Sequence, residues 1–306
     1  MRSPEEAKRA EGNDPPRASK STLLPGTLAI VATPIGNLGD MTQRAIDSMA
    51  AAAVIACEDT RVTAKLLSAY GIRTPMLAYH EHNAARVRPQ LIERLKQGQI
   101  VALVSDAGTP LISDPGYKLV EAAIAEDITV TAAPGASALL TALVLSGLPS
   151  DRFLFAGFLP PKSPARRTEI RTLSSVPATL IFYEAPQRIA KVLEDLAAML
   201  GPRPAAVARE LTKRFEEVRR GPLDELAAFY TAAPQPKGEI VILVGPPGAD
   251  AAASEMSEDD IDTALAAALE GHSVREAAAL VAAETGLPRR TVYARALKLR
   301  GNREDV

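Results

Sequence analysis

Between Thr27 and Leu148, short apolar runs alternate strictly with longer stretches whose apolar residues recur at helical spacing. The runs LAIVAT, AVIACE, PMLAYH, IVALVSD and ITVTAAP are β-branched or apolar and predict strands. DMTQRAIDSMAA predicts a helix capped by Asp40, and RVTAKLLSAYG one that stops at Gly71. NAARVRPQLIERLKQG and PGYKLVEAAIAED follow the same plan. Apolar strands alternating with amphipathic helices predict an α/β fold with a mainly parallel sheet covered on both faces. Its strands run into loops rich in Gly, Pro, Asp and Thr, where such sheets bind ligands.

After the turn GLPSDRF a second series begins. FLFAGFLP, ATLIFYEA, AAVARELT, FEEVRRG and KGEIVILVGP predict strands, with helices over about 163–175, 187–200 and 224–230. The close succession of AAVARELT and FEEVRRG predicts a mixed sheet with antiparallel pairing. PPGADAAASEMSEDD reads as a linker, and three short helices follow it, punctuated by Gly271 and Gly286, with Ser273 as an N-cap. The expected domains are a disordered tail (1–24), an N-terminal α/β domain (25–149), a second α/β domain (150–246), a linker (247–257) and a helical domain (258–306).

With 306 residues and 47% hydrophobic content, the chain can bury a core in two or three domains. Its formal charge of −2 excludes a chain-wide basic coat, so a polyanion must meet a local patch. No apolar run approaches the roughly 18 residues of a membrane span. The N-terminus mixes charges without an apolar core, unlike a signal peptide. The single Cys57 lies in an apolar run and reads as a buried thiol in a reducing cytoplasm. One Cys and three His argue against a zinc site.

The loop TPIGNLGD occupies the place of a nucleotide-binding glycine loop, but it is not GxGxxG, and no GxxxxGK[ST] occurs. It reads as a strand-to-helix turn or as a loop that lets a ligand approach the main chain. EDTR, Glu58 to Arg61, is either a helix start capped by Asp59 or Thr60, or the lining of a cleft. HEHN has metal-like spacing without a third ligand nearby. VSDAGTPLISDPG carries Ser105-Asp106 and Ser113-Asp114, and nothing adjacent completes a metal site with them. In the second block, YEAPQR, RELTKRFEEVRRG and GFLPPKSPARR place charges at strand ends, a basic rim suited to an anionic, extended substrate.

ATPIGNLGDMTQRA, EDTR, HEHN, SDAGTPLISDPG, PGASA, FAGFLP, YEAP and ARELTK occur in order from about Leu28 to Val244. With these motifs the chain resembles the small-subunit ribosomal RNA methyltransferase I family of the tetrapyrrole-methylase fold. That family methylates a cytidine ribose 2′-hydroxyl in small-subunit (16S) ribosomal RNA. The resemblance implies two domains with S-adenosylmethionine in the cleft between them, usually in a homodimer. It implies cofactor contacts at Pro34, Val104, Ser105, Asp106, Thr109, Thr141, Ala142, Glu184, Leu211 and Thr212. A carboxylate such as Asp106 suits the cofactor's ammonium. Gln187 stands where the family usually has histidine.

A ribose hydroxyl is a poor nucleophile, so a base should help; Asp59 and Glu184 are the candidate carboxylates. Arg61, Lys162, Arg166 and Arg167 are candidates for holding RNA phosphates on the ribosomal RNA or the 30S subunit. The three C-terminal helices resemble a helix-turn-helix. There Arg289, Arg290, Arg295, Lys298 and Arg300 face either phosphates or solvent. Ser105-Asp106 then reads as the cofactor's floor, with Ser113 or Asp114 capping a helix opened by Pro115. Two other readings stand beside this one: a small-molecule methylase of the same fold, and a ligand-sensing nucleic-acid-binding regulator.

Overall fold

The computed structural model describes residues 23–113, 116–248, 258–285, 287 and 289–304. Residues 1–22 of the expected tail, most of the linker, Asp114, Pro115 and Gly286 lie outside the described residues. The chain divides between Ser137 and Ala138 into two compact units.

The first unit holds five strands, β1 (Leu28–Val31), β2 (Val54–Cys57), β3 (Met76–Ala78), β4 (Val101–Val104) and β5 (Val130–Ala133). They form one sheet in the order β3-β2-β4-β1-β5, with every pairing parallel. β2 and β4 are apolar at each position and wholly buried, whereas the edge strands β3 and β5 are partly exposed. Helices α1 (Gln43–Ala51) and α2 (Thr60–Ala69) cover one face through Ala45, Met49 and Leu67. Helices α3 (Ala84–Lys96) and α4 (Tyr117–Ala125) cover the other through Leu91, Leu95 and Leu119. Adjacent β1 and β4 therefore send their chains to opposite faces, the arrangement that opens a ligand crevice above strand ends.

Two expected caps differ. Thr42, not Asp40, caps α1 by accepting from the Ala45 amide at 3.1 Å. Asp40 instead lies in a 3-10 turn, Leu38–Asp40, whose cap is the Asn37 side chain. Gly116 takes the cap position of α4, so Ser113 does not fill it; the other expected cap, Asp114, lies outside the described residues.

The second unit begins with α5 (Ala138–Ser146), ahead of the boundary expected at residue 149. Its sheet has the order β6-β7-β10-β8-β9. The strands are β6 (Phe153–Phe158), β7 (Thr179–Glu184), β8 (Pro204–Arg209), β9 (Glu217–Pro222) and β10 (Ile240–Val244). Only β6 and β7 pair in parallel; the other pairings are antiparallel, so the sheet is mixed. Helices α6 (Ser163–Thr172), α7 (Ile189–Leu200) and α8 (Leu223–Ala232) bury one face around Phe182, Leu196 and Ile242. α5 packs from the other side against β8 and β10, and Arg220 of β9 donates to its Ser146 carbonyl.

Helices α9 (Glu258–Ala268), α10 (Val274–Thr285) and α11 (Arg289–Glu304) bury Leu265, Ala278 and Val292 among themselves. Ser273 caps α10 in a reciprocal box: its hydroxyl accepts from the Glu276 amide at 3.4 Å, and Glu276 Oε2 accepts from the Ser273 amide at 3.1 Å. No helix among the described residues is long and apolar enough to cross a membrane.

Candidate active site

At the C-terminal ends of the first sheet, four loops are laced together. Thr33 after β1 and Gly108 after β4 exchange main-chain hydrogen bonds of 2.8 and 3.0 Å. The Thr33 hydroxyl donates to the Ser105 carbonyl at 3.2 Å, and the Ser105 hydroxyl donates to the Gly108 carbonyl at 3.1 Å. Thr109 Oγ1 reaches the Ala136 carbonyl after β5 at 3.1 Å. The Asp59 amide after β2 donates to Asp106 Oδ1 at 3.1 Å. Gly108 has φ +82°, and a Cβ there would sit 3.3 Å from Ile35 Cγ2, so the lacing requires glycine.

These contacts bring together five of the expected cofactor positions, Pro34, Val104, Ser105, Asp106 and Thr109. Val104 and Ser105 are buried, while Pro34, Asp106 and Thr109 are half-buried. Both hydroxyls point into the loops, which leaves main chain and the Asp106 carboxylate as the groups available to a ligand. Burial pushes the Asp106 carboxyl above its ordinary pKa, with the Asp59 charge adding to the shift against the pull of the Asp59 amide. Burial raises Glu58 as well, with Asp106 contributing. Asp106 has no ion-pair partner among the described residues, so a cationic ligand group would relieve it.

Asp59 has a different environment. Its carboxylate caps α2 by accepting from the Arg61 amide at 2.8 Å and pairs with the exposed Arg61 guanidinium at 2.6 Å. These hydrogen bonds hold its pKa at about 2. Cys57 is fully buried at the end of β2, where burial pushes its thiol up. His80 and His82 lie in the turn after β3, with ring centroids 6.0 Å apart. No group of three or more His, Cys, Asp or Glu that could hold a metal ion occurs among the described residues.

In the second unit, Glu184 ends β7 with a buried carboxyl. Its Oε1 accepts from the Ala185 amide at 2.7 Å and lies 3.2 Å from Arg188 Nε. Its Oε2 is buried without a hydrogen-bond partner. Burial raises the pKa of Glu184 above the carboxylate norm despite that amide and Arg188. Leu211 is buried, and Thr212 has φ +64° with its Oγ1 buried and unbonded. A β-branched residue in the left-handed region is strained, and such strain concentrates at functional sites. In α5, Thr141 is half-buried and Ala142 fully buried. Gln187 is exposed.

Lys162 and Arg167 are exposed as expected of phosphate ligands, but Arg166 is not. Arg166 is 4% exposed, its Nε is 2.7 Å from Asp195 Oδ2, and its Nη1 donates to the Pro160 and Pro161 carbonyls. Its donors face protein, so it shapes the Pro-rich loop instead of meeting a phosphate. Asp195 also accepts from Ser163 Oγ at 2.9 Å and Arg167 Nε at 2.6 Å. Arg188 Nη2 donates to the Leu159 carbonyl at 2.6 Å. The sequence reading missed Asp195; its signal was an acid among apolar residues in the helix IAKVLEDLAAML. The charges of RELTKRFEEVRRG largely pair with one another, as Arg209 with Glu217 and Lys213 with Glu210. Arg289 and Arg290 are exposed at the start of α11, while Arg295 pairs with Asp262.

Residues 27–227 match the family model of tetrapyrrole (corrin/porphyrin) methylases, and residues 255–300 match that of the RsmI C-terminal HTH domain. A ribosomal RNA small subunit methyltransferase I of Mesorhizobium japonicum is 53% identical over 278 residues, 90% of this chain and 93% of that one. The enzyme of the same name from Xylella fastidiosa is 52% identical over 88% of this chain and 98% of its own. Among solved structures, a diphthine synthase superposes with a TM-score of 0.56 at 16% identity, covering 72% of this chain and 89% of that one. The cobalt precorrin-4 methyltransferase superposes with a TM-score of 0.55 at 17% identity, covering 75% and 97%. These two likenesses concern the fold. By sequence and by fold, the chain belongs to the tetrapyrrole methylase family and, within it, to the ribosomal RNA small subunit methyltransferases I.

Proposed function

We propose that this chain transfers the methyl group of S-adenosylmethionine to a cytidine ribose 2′-hydroxyl of small-subunit ribosomal RNA. The observation that carries this reading is its 53% identity, over nine-tenths of its length, to a relative named for that RNA. The partner is the RNA or the 30S subunit, met in the cytoplasm by a homodimer.

The residues present fit the cofactor. It supplies a methyl group on a cationic sulfur and carries an ammonium besides. Asp106, a half-buried carboxylate without an ion-pair partner among the described residues, suits the ammonium, while Pro34, Val104, Ser105 and Thr109 offer laced main chain. In the second unit, Thr141, Ala142, Glu184, Leu211 and Thr212 are the proposed contacts, and the unbonded oxygens of Glu184 and Thr212 support that choice.

Of the two candidate bases, Glu184 is favoured. The basicity of Asp59 is suppressed by Arg61 and the helix cap, whereas Glu184 keeps an unbonded oxygen and a raised pKa. Arg61, Lys162 and Arg167 are the proposed phosphate ligands beside the α/β units, and Arg289 and Arg290 those of the helical segment. The test is incubation with radiolabelled S-adenosylmethionine and small subunits from cells lacking the modification. Label on a ribose 2′-oxygen is expected; no transfer to the RNA, or label at another position, overturns the reading.

A further inference from the structure

Phe155 and Phe158 are three residues apart in β6, a spacing that sends side chains to opposite faces of a regular strand. The register shifts between Phe155 and Gly157, so that Phe155 pairs with Ile181 and Phe158 with Tyr183. Ile181 and Tyr183 are two apart in β7 and share a face. The extra residue therefore turns both phenylalanines to the same side, with Gly157 at φ +66° supplying the left-handed step of the bulge. Both rings then meet Tyr183 edge-to-face, at centroid distances of 4.8 and 5.8 Å. β6 is an edge strand, and Phe158 at its end is 56% exposed.

The chain leaves this cluster directly into the Pro-rich basic loop. Arg188 holds the carbonyls of Leu159 and Pro160, and Arg166 those of Pro160 and Pro161. The loop is thus fixed next to the rings, and it leads to exposed Lys162, which has no ion-pair partner among the described residues, and to half-exposed Arg167. An exposed ring set edge-to-face on Tyr183, which is itself held by Phe155, with cations further along the same loop, matches a nucleotide: a flat base and a charged phosphate.

We propose that Phe158, braced by Tyr183, stacks on an unpaired base of the RNA substrate while Lys162 and Arg167 meet the neighbouring phosphates. This rests on the RNA reading above. Every base has a π-face, so such a contact adds affinity with little sequence preference and requires a single-stranded segment.

The experiment compares Phe158→Ala and Phe158→Trp in the full chain. Binding to a single-stranded oligoribonucleotide from small-subunit ribosomal RNA is measured across a salt series. Phe158→Ala is expected to bind about tenfold more weakly with an unchanged salt slope, and Phe158→Trp to retain wild-type affinity. Lys162→Ala should instead reduce the slope by about 0.7, as loss of one phosphate contact to a single strand does. S-adenosylmethionine affinity and sedimentation mass should not change in Phe158→Ala. Wild-type RNA affinity in that variant overturns the proposal. So does a loss accompanied by a changed mass, which would make the ring a contact between copies of the chain. If the wild-type chain neither binds nor methylates the RNA, the functional reading falls and the stacking site with it. If the wild type methylates and Phe158→Ala is indistinguishable, the stacking site alone is overturned.

Discussion

Arg166 Nε lies 2.7 Å from Asp195 Oδ2, and both side chains are 4% exposed. The pair joins α6 to α7, and through the Arg166 contacts with the Pro160 and Pro161 carbonyls it also fixes the basic loop. Asp195→Ala would strand a buried guanidinium, at a cost of about 3–5 kcal/mol. Urea unfolding measures it, and a loss below about 1 kcal/mol would refute the structural role. Burial acts to raise the Asp195 carboxyl, but Arg167, Ser163 and Arg166 together pull it below its ordinary 3.8. Its folded pKa is thus depressed, so this stabilisation is complete above the unfolded value and fades as pH falls below about 4.

Asp106→Asn keeps the shape of the strand-end loop and removes its charge. Loss of a charge-assisted hydrogen bond, worth about 1.5–3 kcal/mol, should weaken S-adenosylmethionine binding roughly ten- to hundredfold. Titration calorimetry reads the change directly. Unaltered affinity would mean that the ammonium is held elsewhere.

Glu184→Gln and Asp59→Asn separate the two carboxylates. Single-turnover methylation should fall about 10²- to 10⁴-fold in Glu184→Gln, the usual range for a lost general base. Because burial raises the Glu184 pKa above 4.5, the acid limb of the wild-type rate should lie above that value. Asp59→Asn should leave the chemical step nearly intact and weaken RNA binding through Arg61. The base assignment does not survive if Glu184→Gln turns over at the wild-type rate.

Gly108→Ala places a Cβ 3.3 Å from Ile35 Cγ2 at φ +82°. A left-handed non-glycine residue costs about 1–2 kcal/mol, and the strain falls on the Thr33 bridge. Both the melting temperature and cofactor affinity should drop. A variant that matches wild type in both would show that the bridge can relax freely.

Arg289→Ala with Arg290→Ala should flatten the salt dependence of RNA binding by about 1.4 for two single-strand phosphate contacts, without lowering stability. Arg295→Ala should behave oppositely, because Arg295 pairs with Asp262 and ties α11 to α9. If the double variant leaves the slope unchanged, the helical segment meets RNA by another face.

Much of this was legible in the residues. Strand and helix periods gave the parallel sheet and the mixed one, since a strand buried on both faces must be apolar throughout, as VIAC and VALV are. The Ser273 cap was readable because a cap bonds amides within three residues of itself. Asp40 was misread as a cap because it belongs to a preceding 3-10 turn, and the helix itself starts later, at Gln43, behind Thr42. Arg166 looked like one of three equivalent cations in GFLPPKSPARR, with Lys162 and Arg167, yet helix phase buries it and exposes Arg167.

Local pattern and motif order were enough to establish the elements, the fold class and the strand-end loops, because those depend on residues near one another in the chain. Distant pairs were settled only by tertiary structure. Asp195 lies 29 residues from Arg166, Asp106 lies 47 from Asp59, and Thr33 lies 72 from Ser105. Burial and hydrogen bonding across those separations determine that Asp195 is held below its ordinary pKa, that Asp106 is raised, and that Arg166 faces protein and not solvent. The β6 bulge belongs to the same class: only pairing with β7 reveals that Phe155 and Phe158 share a face.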